Sequence, residues 1–229
     1  MTRVKICGLM SAEDIRFCVT AGADAVGFVT EYPVPVPWNI NRDKARELVA
    51  LVPPFVTTTA VVGGPVEFIL QIAYAVRPNF LQLHGDETKE EIEHITSALA
   101  ETGIKVIKAL RIDIDTGKAR FCIEDPLEAA KVLSGTDLSG LVVDSKTANR
   151  PAGTGVPLDW NIIKRISSSI SIPLILAGGL TIRNVSRAIE RVRPYGVDVI
   201  SGVEKTPGVK DHERIRQFVR AVKQIGWNI

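Results

Sequence analysis

The sequence predicts a single (β/α)8 barrel occupying residues 1–229, and three observations carry that prediction. Eight short, β-branched runs alternate with longer helical patterns along the whole chain. The 229 residues shared among eight units leave about 29 for each, close to the roughly 30 that a strand-plus-helix unit needs. The strand runs are continuously apolar rather than alternating, as parallel strands buried on both faces are. A doubly wound open sheet is the competing architecture, because it shows the same alternation. No low-complexity linker divides the chain, and the one proline cluster, Pro33-Val-Pro-Val-Pro, falls within a single loop.

The expected strands are Val4–Cys7, Ala25–Val29, Thr58–Val62, Phe80–Leu83, Lys105–Leu110, Gly140–Asp144, Leu174–Ala177 and Asp198–Ile200. Helix start signals stand between them. Ser11-Ala-Glu-Asp opens the first helix, Asn41-Arg-Asp-Lys the second and Thr88-Lys-Glu-Glu the fourth, the last with the Thr and Glu of a capping box. Thr181-Ile-Arg-Asn is expected to start the seventh helix and Asp211-His-Glu-Arg the eighth. Ala45, Leu48, Val49 and Val52 form one apolar helix face, and Ile215, Phe218, Val219 and Val222 another.

Composition narrows the function. Lys and Arg total 28 against 26 Asp and Glu, a net charge of +2 that provides no electrostatic footprint for nucleic acid. No apolar run approaches the roughly 18 residues of a membrane span, and Met-Thr-Arg-Val-Lys-Ile-Cys-Gly has no charged-then-apolar leader. A cytoplasmic setting without a membrane partner is expected, with Cys7, Cys18 and Cys122 as reduced thiols. Neither those cysteines nor the three scattered histidines have metal-ligand spacing, so neither a metal nor a cofactor is expected. Monomer and homodimer both stay open.

In a barrel of this kind, chemistry gathers where strands run into their following loops. Those positions are conspicuously polar or glycine-rich here. Lys5 and Cys7 alternate across Ile6, and Gln82 and His84 across Leu83. Lys108 lies near the end of the fifth strand and Asp144 closes the sixth. Gly178 and Gly179 follow the seventh, and Ser201-Gly202-Val203-Glu204 follows the eighth as the start of a short helix. Backbone N–H groups at such places form an anion pocket, which points to a phosphorylated small molecule as the ligand. The loop from Ser145 to Pro157, with Gly153-Thr-Gly155, suits a lid over that ligand.

Cys7 is the candidate base or nucleophile, provided that a cation such as Lys5 lowers its pKa. Asp144 closes an apolar strand, so burial should raise its pKa and suit it to donate a proton. Cys18 and Cys122 are expected to be buried apolar cysteines, and His94 and His212 to be solvated on helices.

Lys-Ile-Cys-Gly at 5–8, Gln-Leu-His-Gly-Asp-Glu at 82–87, Val-Val-Asp-Ser at 142–145, Gly-Thr-Gly at 153–155, Leu-Asp-Trp at 158–160, Leu-Ala-Gly-Gly-Leu at 176–180 and Val-Asp-Val-Ile-Ser-Gly-Val-Glu from 197 come in an order that resembles the phosphoribosylanthranilate isomerase family of tryptophan biosynthesis. The resemblance runs over nearly the whole chain. It implies an Amadori rearrangement of N-(5′-phosphoribosyl)anthranilate to 1-(2-carboxyphenylamino)-1-deoxyribulose 5-phosphate, with no cofactor. It further implies Asp144 as general acid and Cys7 as general base. The phosphate then falls to the amides of Gly178, Gly179, Ser201 and Gly202, and Asp198 falls near sugar hydroxyls or a neighbouring loop.

One position departs from the family pattern. Where the family has an arginine that grips the anthranilate carboxylate, this chain has Trp38. An indole has one donor and makes no bidentate contact. Three outcomes are open: Arg42 or another basic group supplies the contact, the aryl ring stacks on Trp38, or the substrate differs. The end of the third strand, Val61-Val-Gly-Gly64, also lacks the family's usual Asn. An isomerase of another aminosugar phosphate and a non-catalytic phosphometabolite-binding relative are the alternative functions.

Overall fold

The computed structural model of the chain describes residues 1–146 and 158–225. Eight parallel strands close into a barrel: β1 (Arg3–Ile6), β2 (Ala25–Thr30), β3 (Thr57–Val62), β4 (Phe80–Leu83), β5 (Lys105–Asp113), β6 (Leu141–Lys146), β7 (Leu174–Leu176) and β8 (Gly196–Val199). Closure is made by β1 pairing in parallel with both β2 and β8, with Lys5 opposite Ala25 on one side and Asp198 on the other. A closed barrel rather than an open sheet is therefore the architecture. The helices surround it as α1 (Ala12–Ala21), α2 (Arg42–Ala50), α3 (Val66–Val76), α4 (Lys89–Leu99), α5 (Pro126–Ser134), α6 (Trp160–Ser167), α7 (Val185–Val192) and α8 (His212–Gln224).

Strand parity sorts the side chains into two sets. Val4, Ile6, Val26, Phe28, Leu81, Leu83, Val106, Leu110, Val143 and Val197 join the core between strands and helices. The opposite parity fills the barrel. Ile107, Ala109, Val142 and Ala177 pack together inside it, while Lys5, Gln82, Asp144 and Asp198 are buried polar groups of that same parity. Both faces of each strand are thus dry, which is why the strands read as unbroken apolar runs.

The helix signals act largely as the sequence implies. Ser11, Asn41 and Asp211 accept hydrogen bonds from backbone amides of the first turns of α1, α2 and α8, and Thr88 with Glu91 forms the capping box of α4. The start expected at Thr181 is displaced. Asn184 accepts from the Thr181 N–H at 2.8 Å and donates to the Gly179 carbonyl at 2.9 Å, so 181–184 forms a turn and α7 starts at Val185. Strand β5 runs three residues past its expected end. Arg111, Ile112 and Asp113 pair with Asp144, Ser145 and Lys146, and the chain folds back through Asp113 N–H to Lys118 O and Arg120 N–H to Arg111 O. Two short additions, Asn39–Ile40 beside β2 and a hairpin of Glu204–Thr206 with Val209–Lys210, decorate the loops after β2 and β8.

Other assignments are corrected. Cys18 is buried on α1 as expected, but Cys122 is exposed, because residues 121–124 form an irregular surface stretch and no helix or strand covers the thiol. His94 is exposed, whereas His212 is half-buried: its ring stacks on Phe17 at 4.3 Å and Nε2 lies 2.8 Å from Asp14 Oδ1. The proposed lid lies outside the described residues from position 147 onward.

Lys108 takes no place in the barrel mouth. It shares the outward parity of Val106 and Leu110, and its ammonium sits 2.8 Å from Glu87 and donates to the Gly85 carbonyl at 2.9 Å. Both side chains are buried, so each depends on the other for charge compensation. Replacing Glu87 with Ala is expected to lower the free energy of unfolding by about 3–5 kcal/mol through the stranded ammonium, measured by urea denaturation. The paired change Glu87→Leu with Lys108→Met should recover most of that loss.

Candidate active site

The mouth of the barrel at the strand C-termini holds a pocket to which most of the sequence-derived candidates contribute. Cys7, Gln82, His84, Asp144, Asp198, Gly178, Gly179, Ser201, Gly202 and Trp38 all line it. Lys5 lies just below and Arg42 lies outside. Tyr32, Val29, Val36, Val61, Ala177, Leu180, Val199 and Ile200 complete the lining.

Lys5 is the electrostatic centre of the floor. Its ammonium donates to Gln82 Oε1 at 2.7 Å and to Asp198 Oδ2 at 2.8 Å, joining β1 to β4 and β8 across the interior. Burial opposes that charge, but attraction to Asp198 and to the neighbouring Cys7 outweighs it and leaves the Lys5 pKa raised. Among the described residues, Asp198 Oδ1 is buried without a hydrogen-bond partner, and His84 Nε2 is in the same condition. Two orphaned polar atoms facing one pocket are what a polyhydroxy ligand would satisfy.

Cys7 follows β1 directly, its N–H donating to the Val199 carbonyl at 2.9 Å. Its sulfur is accommodated by Gly27 on the neighbouring strand, where a Cβ would sit 2.6 Å from Sγ. The expected lowering of its pKa is reversed. Burial raises the thiol pKa more than Lys5 and Lys210 lower it, because a thiolate there loses its water and Asp198 adds a nearby negative charge.

Asp144 behaves as the sequence suggested. Burial within β6, two residues before its end, reinforced by the charge of Asp198, pushes its pKa up to about 7, against smaller opposing effects from the Ser145 N–H, Arg111 and Lys5. His84 Nε2 stands 3.8 Å from Asp144 Oδ2. Burial, with the cations Arg111, Lys108 and Lys5 around it, holds His84 well below the ordinary histidine pKa, so it is neutral beside the carboxyl.

Backbone shape dominates the far side of the pocket. Gly178 has φ +79°, and a Cβ there would meet the Ser145 nitrogen at 2.6 Å. Gly202 is the middle residue of the single-turn 3-10 helix Ser201–Val203, and a Cβ there would collide with the Leu180 carbonyl oxygen. The Asn184 side chain ties the Gly179–Thr181 stretch in place. Close-approach glycines beside a helical turn make the cradle of amides that anions favour.

The opposite wall is apolar. Trp38 packs with Cys7, Val29, Tyr32 and Val61, and its ring lies against the bare backbone of Gly8. Its Nε1–H donates to Glu204 Oε1 at 2.6 Å, and Glu204 is bonded in turn to Lys210 at 2.9 Å, all buried. Tyr32 Oη donates to the His84 carbonyl at 2.9 Å. Arg42 does not reach this wall: Glu31 holds its guanidinium through Nε and Nη2, and Phe68 packs against it at 5.1 Å.

Sequence reasoning missed Tyr32, Arg111 and the Glu204–Lys210 pair. Arg111 is buried with the inward parity of Ala109, stands opposite Asp144 in the ladder, and pairs with Asp86. Its signal was available in the period of two, since Arg111 has the parity of Ile107 and Ala109 whereas Lys108 has the other. Nothing local marks Tyr32 or Glu204, whose roles come from loops meeting across the mouth.

Residues 4–221 match the family described as N-(5′-phosphoribosyl)anthranilate (PRA) isomerase. N-(5′-phosphoribosyl)anthranilate isomerase of Haloferax volcanii is 40% identical over 224 residues, covering 97% of this chain and 94% of that protein. The crystal structure of phosphoribosyl anthranilate isomerase from Thermotoga maritima superposes with a TM-score of 0.82 at 36% identity, over 98% of this chain and all of that one. A phosphoribosyl anthranilate isomerase in complex with reduced 1-(o-carboxyphenylamino)-1-deoxyribulose 5-phosphate superposes with a TM-score of 0.79 at 35% identity, with the same coverage. A closed barrel with a buried acid, a buried thiol and a glycine cradle at one mouth thus coincides with similarity over nearly the full length, and the chain belongs to the N-(5′-phosphoribosyl)anthranilate isomerase family.

Proposed function

We propose that this enzyme rearranges N-(5′-phosphoribosyl)anthranilate to 1-(o-carboxyphenylamino)-1-deoxyribulose 5-phosphate, in tryptophan biosynthesis, by proton transfers at Asp144 and Cys7. The observation that carries the reading is the carboxyl of Asp144, poised near neutrality by burial in the pocket that also holds the Cys7 thiol. A carboxyl with pKa about 7 keeps a substantial protonated fraction near neutral pH and still gives its proton up readily.

The phosphate is assigned to the amides of Gly178, Gly179, Ser201 and Gly202, which fixes one end of the substrate. The ribose then lies over Asp198 and His84, whose orphaned atoms suit its hydroxyls. Asp144 protonates the furanose ring oxygen, the C1′–O bond breaks, and the nitrogen lone pair forms an iminium ion. Cys7 removes the C2′ proton, the electrons neutralise the iminium to an enolamine, and tautomerisation gives the ketone. No electrons enter or leave overall, and the anchoring keeps acid and base at their respective atoms.

The raised Cys7 pKa is compatible with these steps. A cationic iminium formed beside the thiol, together with Lys5, favours the thiolate at the step that needs it. Lys5 itself is held by Asp198 and serves the charge balance of the floor rather than transferring a proton.

Three outcomes test the assignment. Cys7→Ala and Asp144→Asn should each lower kcat by about a thousandfold or more, followed as loss of substrate fluorescence, while the reduced product analogue still binds. Retention of rate by either variant removes that residue from the chemistry. In the wild type, kcat/KM should fall above pH about 7, as Asp144 loses its proton.

The same shift affects stability with a definite sign. The folded state holds the Asp144 proton more tightly than the unfolded chain, where the usual value is 3.8. The resulting stabilisation is complete below that value and is lost as pH rises through about 7. Urea titrations across this range should show a decline in the wild type that Asp144→Asn lacks. Finally, Gly202→Ala should weaken the reduced product analogue by about tenfold or more in calorimetry, since the new methyl forces Leu180 and the amide cradle apart.

A further inference from the structure

We infer that this enzyme recognises the arylamine half of its substrate by the ring and not by the ring's carboxylate, with Trp38 as the residue that sets this preference. The inference rests on the isomerase reading above and concerns the wall opposite the glycine cradle.

If phosphate is held after β7 and β8 and the sugar spans Asp144 and Cys7, the N-aryl group is directed onto the loops after β2 and β3. The wall there consists of Val29, Tyr32, Val36, Trp38, Val61 and Ile200. Among the described residues, no lysine or arginine lines the pocket. The nearby cations are each engaged by a carboxylate: Lys5 by Asp198, Lys108 by Glu87, Arg111 by Asp86, Lys210 by Glu204 and Arg42 by Glu31.

Trp38 offers nothing to an anion either. Its one N–H is committed to Glu204 at 2.6 Å, and the Glu204–Lys210 pair behind it is buried, which fixes the indole against Gly8. A second anion brought to this edge meets the Glu204 carboxylate a few ångströms behind the ring. A large, rigid, apolar surface of this kind gains its affinity from stacking, which is indifferent to an ortho substituent pointing at solvent. A charge-assisted contact, by contrast, would be worth about ten- to a hundredfold.

The test compares two ligands that differ only in the carboxylate: the reduced forms of 1-(o-carboxyphenylamino)- and 1-phenylamino-1-deoxyribulose 5-phosphate. Calorimetry on the wild-type enzyme should give Kd values within about tenfold of each other. Trp38→Arg should move the ratio by at least about tenfold toward the carboxylated ligand. Wild-type preference for the carboxylated ligand by more than about tenfold overturns the inference, and so does an unchanged ratio in a folded Trp38→Arg protein. The wild-type comparison stands by itself if the variant does not fold. Turnover of the corresponding N-(5′-phosphoribosyl)arylamines, made from ribose 5-phosphate with anthranilate or aniline, separates the two readings. Equal binding without turnover of either substrate refutes the isomerase assignment and leaves the recognition mode intact.

Discussion

Lys5 holds the charge balance of the barrel mouth. It sits inside a closed parallel barrel, away from water, and is tied to Gln82 on β4 and Asp198 on β8. A buried ammonium persists only with compensation, and the compensation here joins the first strand to the last, where the barrel closes. The same group sets the field felt by the site: it opposes the rise in the thiol pKa at Cys7, lowers His84 and acts against the rise at Asp144. Closure and electrostatics are consequently one problem solved by one residue.

Around that centre, dehydration has opposite consequences for different groups. Water loss disfavours every charged form, so the pKa of Asp144 rises, that of His84 falls and that of Cys7 rises. The carboxyl of Asp144 and the thiol of Cys7 are thereby both shifted toward their neutral forms. The glycine cradle contributes by the opposite means, offering backbone where a side chain would obstruct.

The two halves of the mouth differ in how far the sequence revealed them. The glycine-lined side was legible because glycine is itself the signal: Gly178 and Gly202 occupy positions where a Cβ collides with the backbone of Ser145 and of Leu180. The polar floor was legible because inward parity puts Lys5, Gln82 and Asp144 at strand ends in otherwise apolar runs. Lys108 shows the limit of that logic. It stands at the right height but on the wrong parity, and belongs to Glu87 in the outer layer. Similarly, Thr181 carries a helix-start pattern, yet Asn184 uses both ends of its amide to make a turn first.

The sequence by itself determined the barrel, since eight apolar strands with helical returns have few ways to bury both faces. It also determined which strand ends bear polar chemistry, because that follows from counting residues in a period of two. Only the tertiary structure decided the signs and partners. The direction of the Cys7 shift depends on how completely the mouth is dehydrated, and that is a sum over loops from several units. The duty of Arg42 depends on Glu31 lying within reach, and that of Trp38 on Glu204 arriving from the other end of the chain. Electrostatic roles are set by distances across space, whereas the pattern along a chain records only neighbours in sequence.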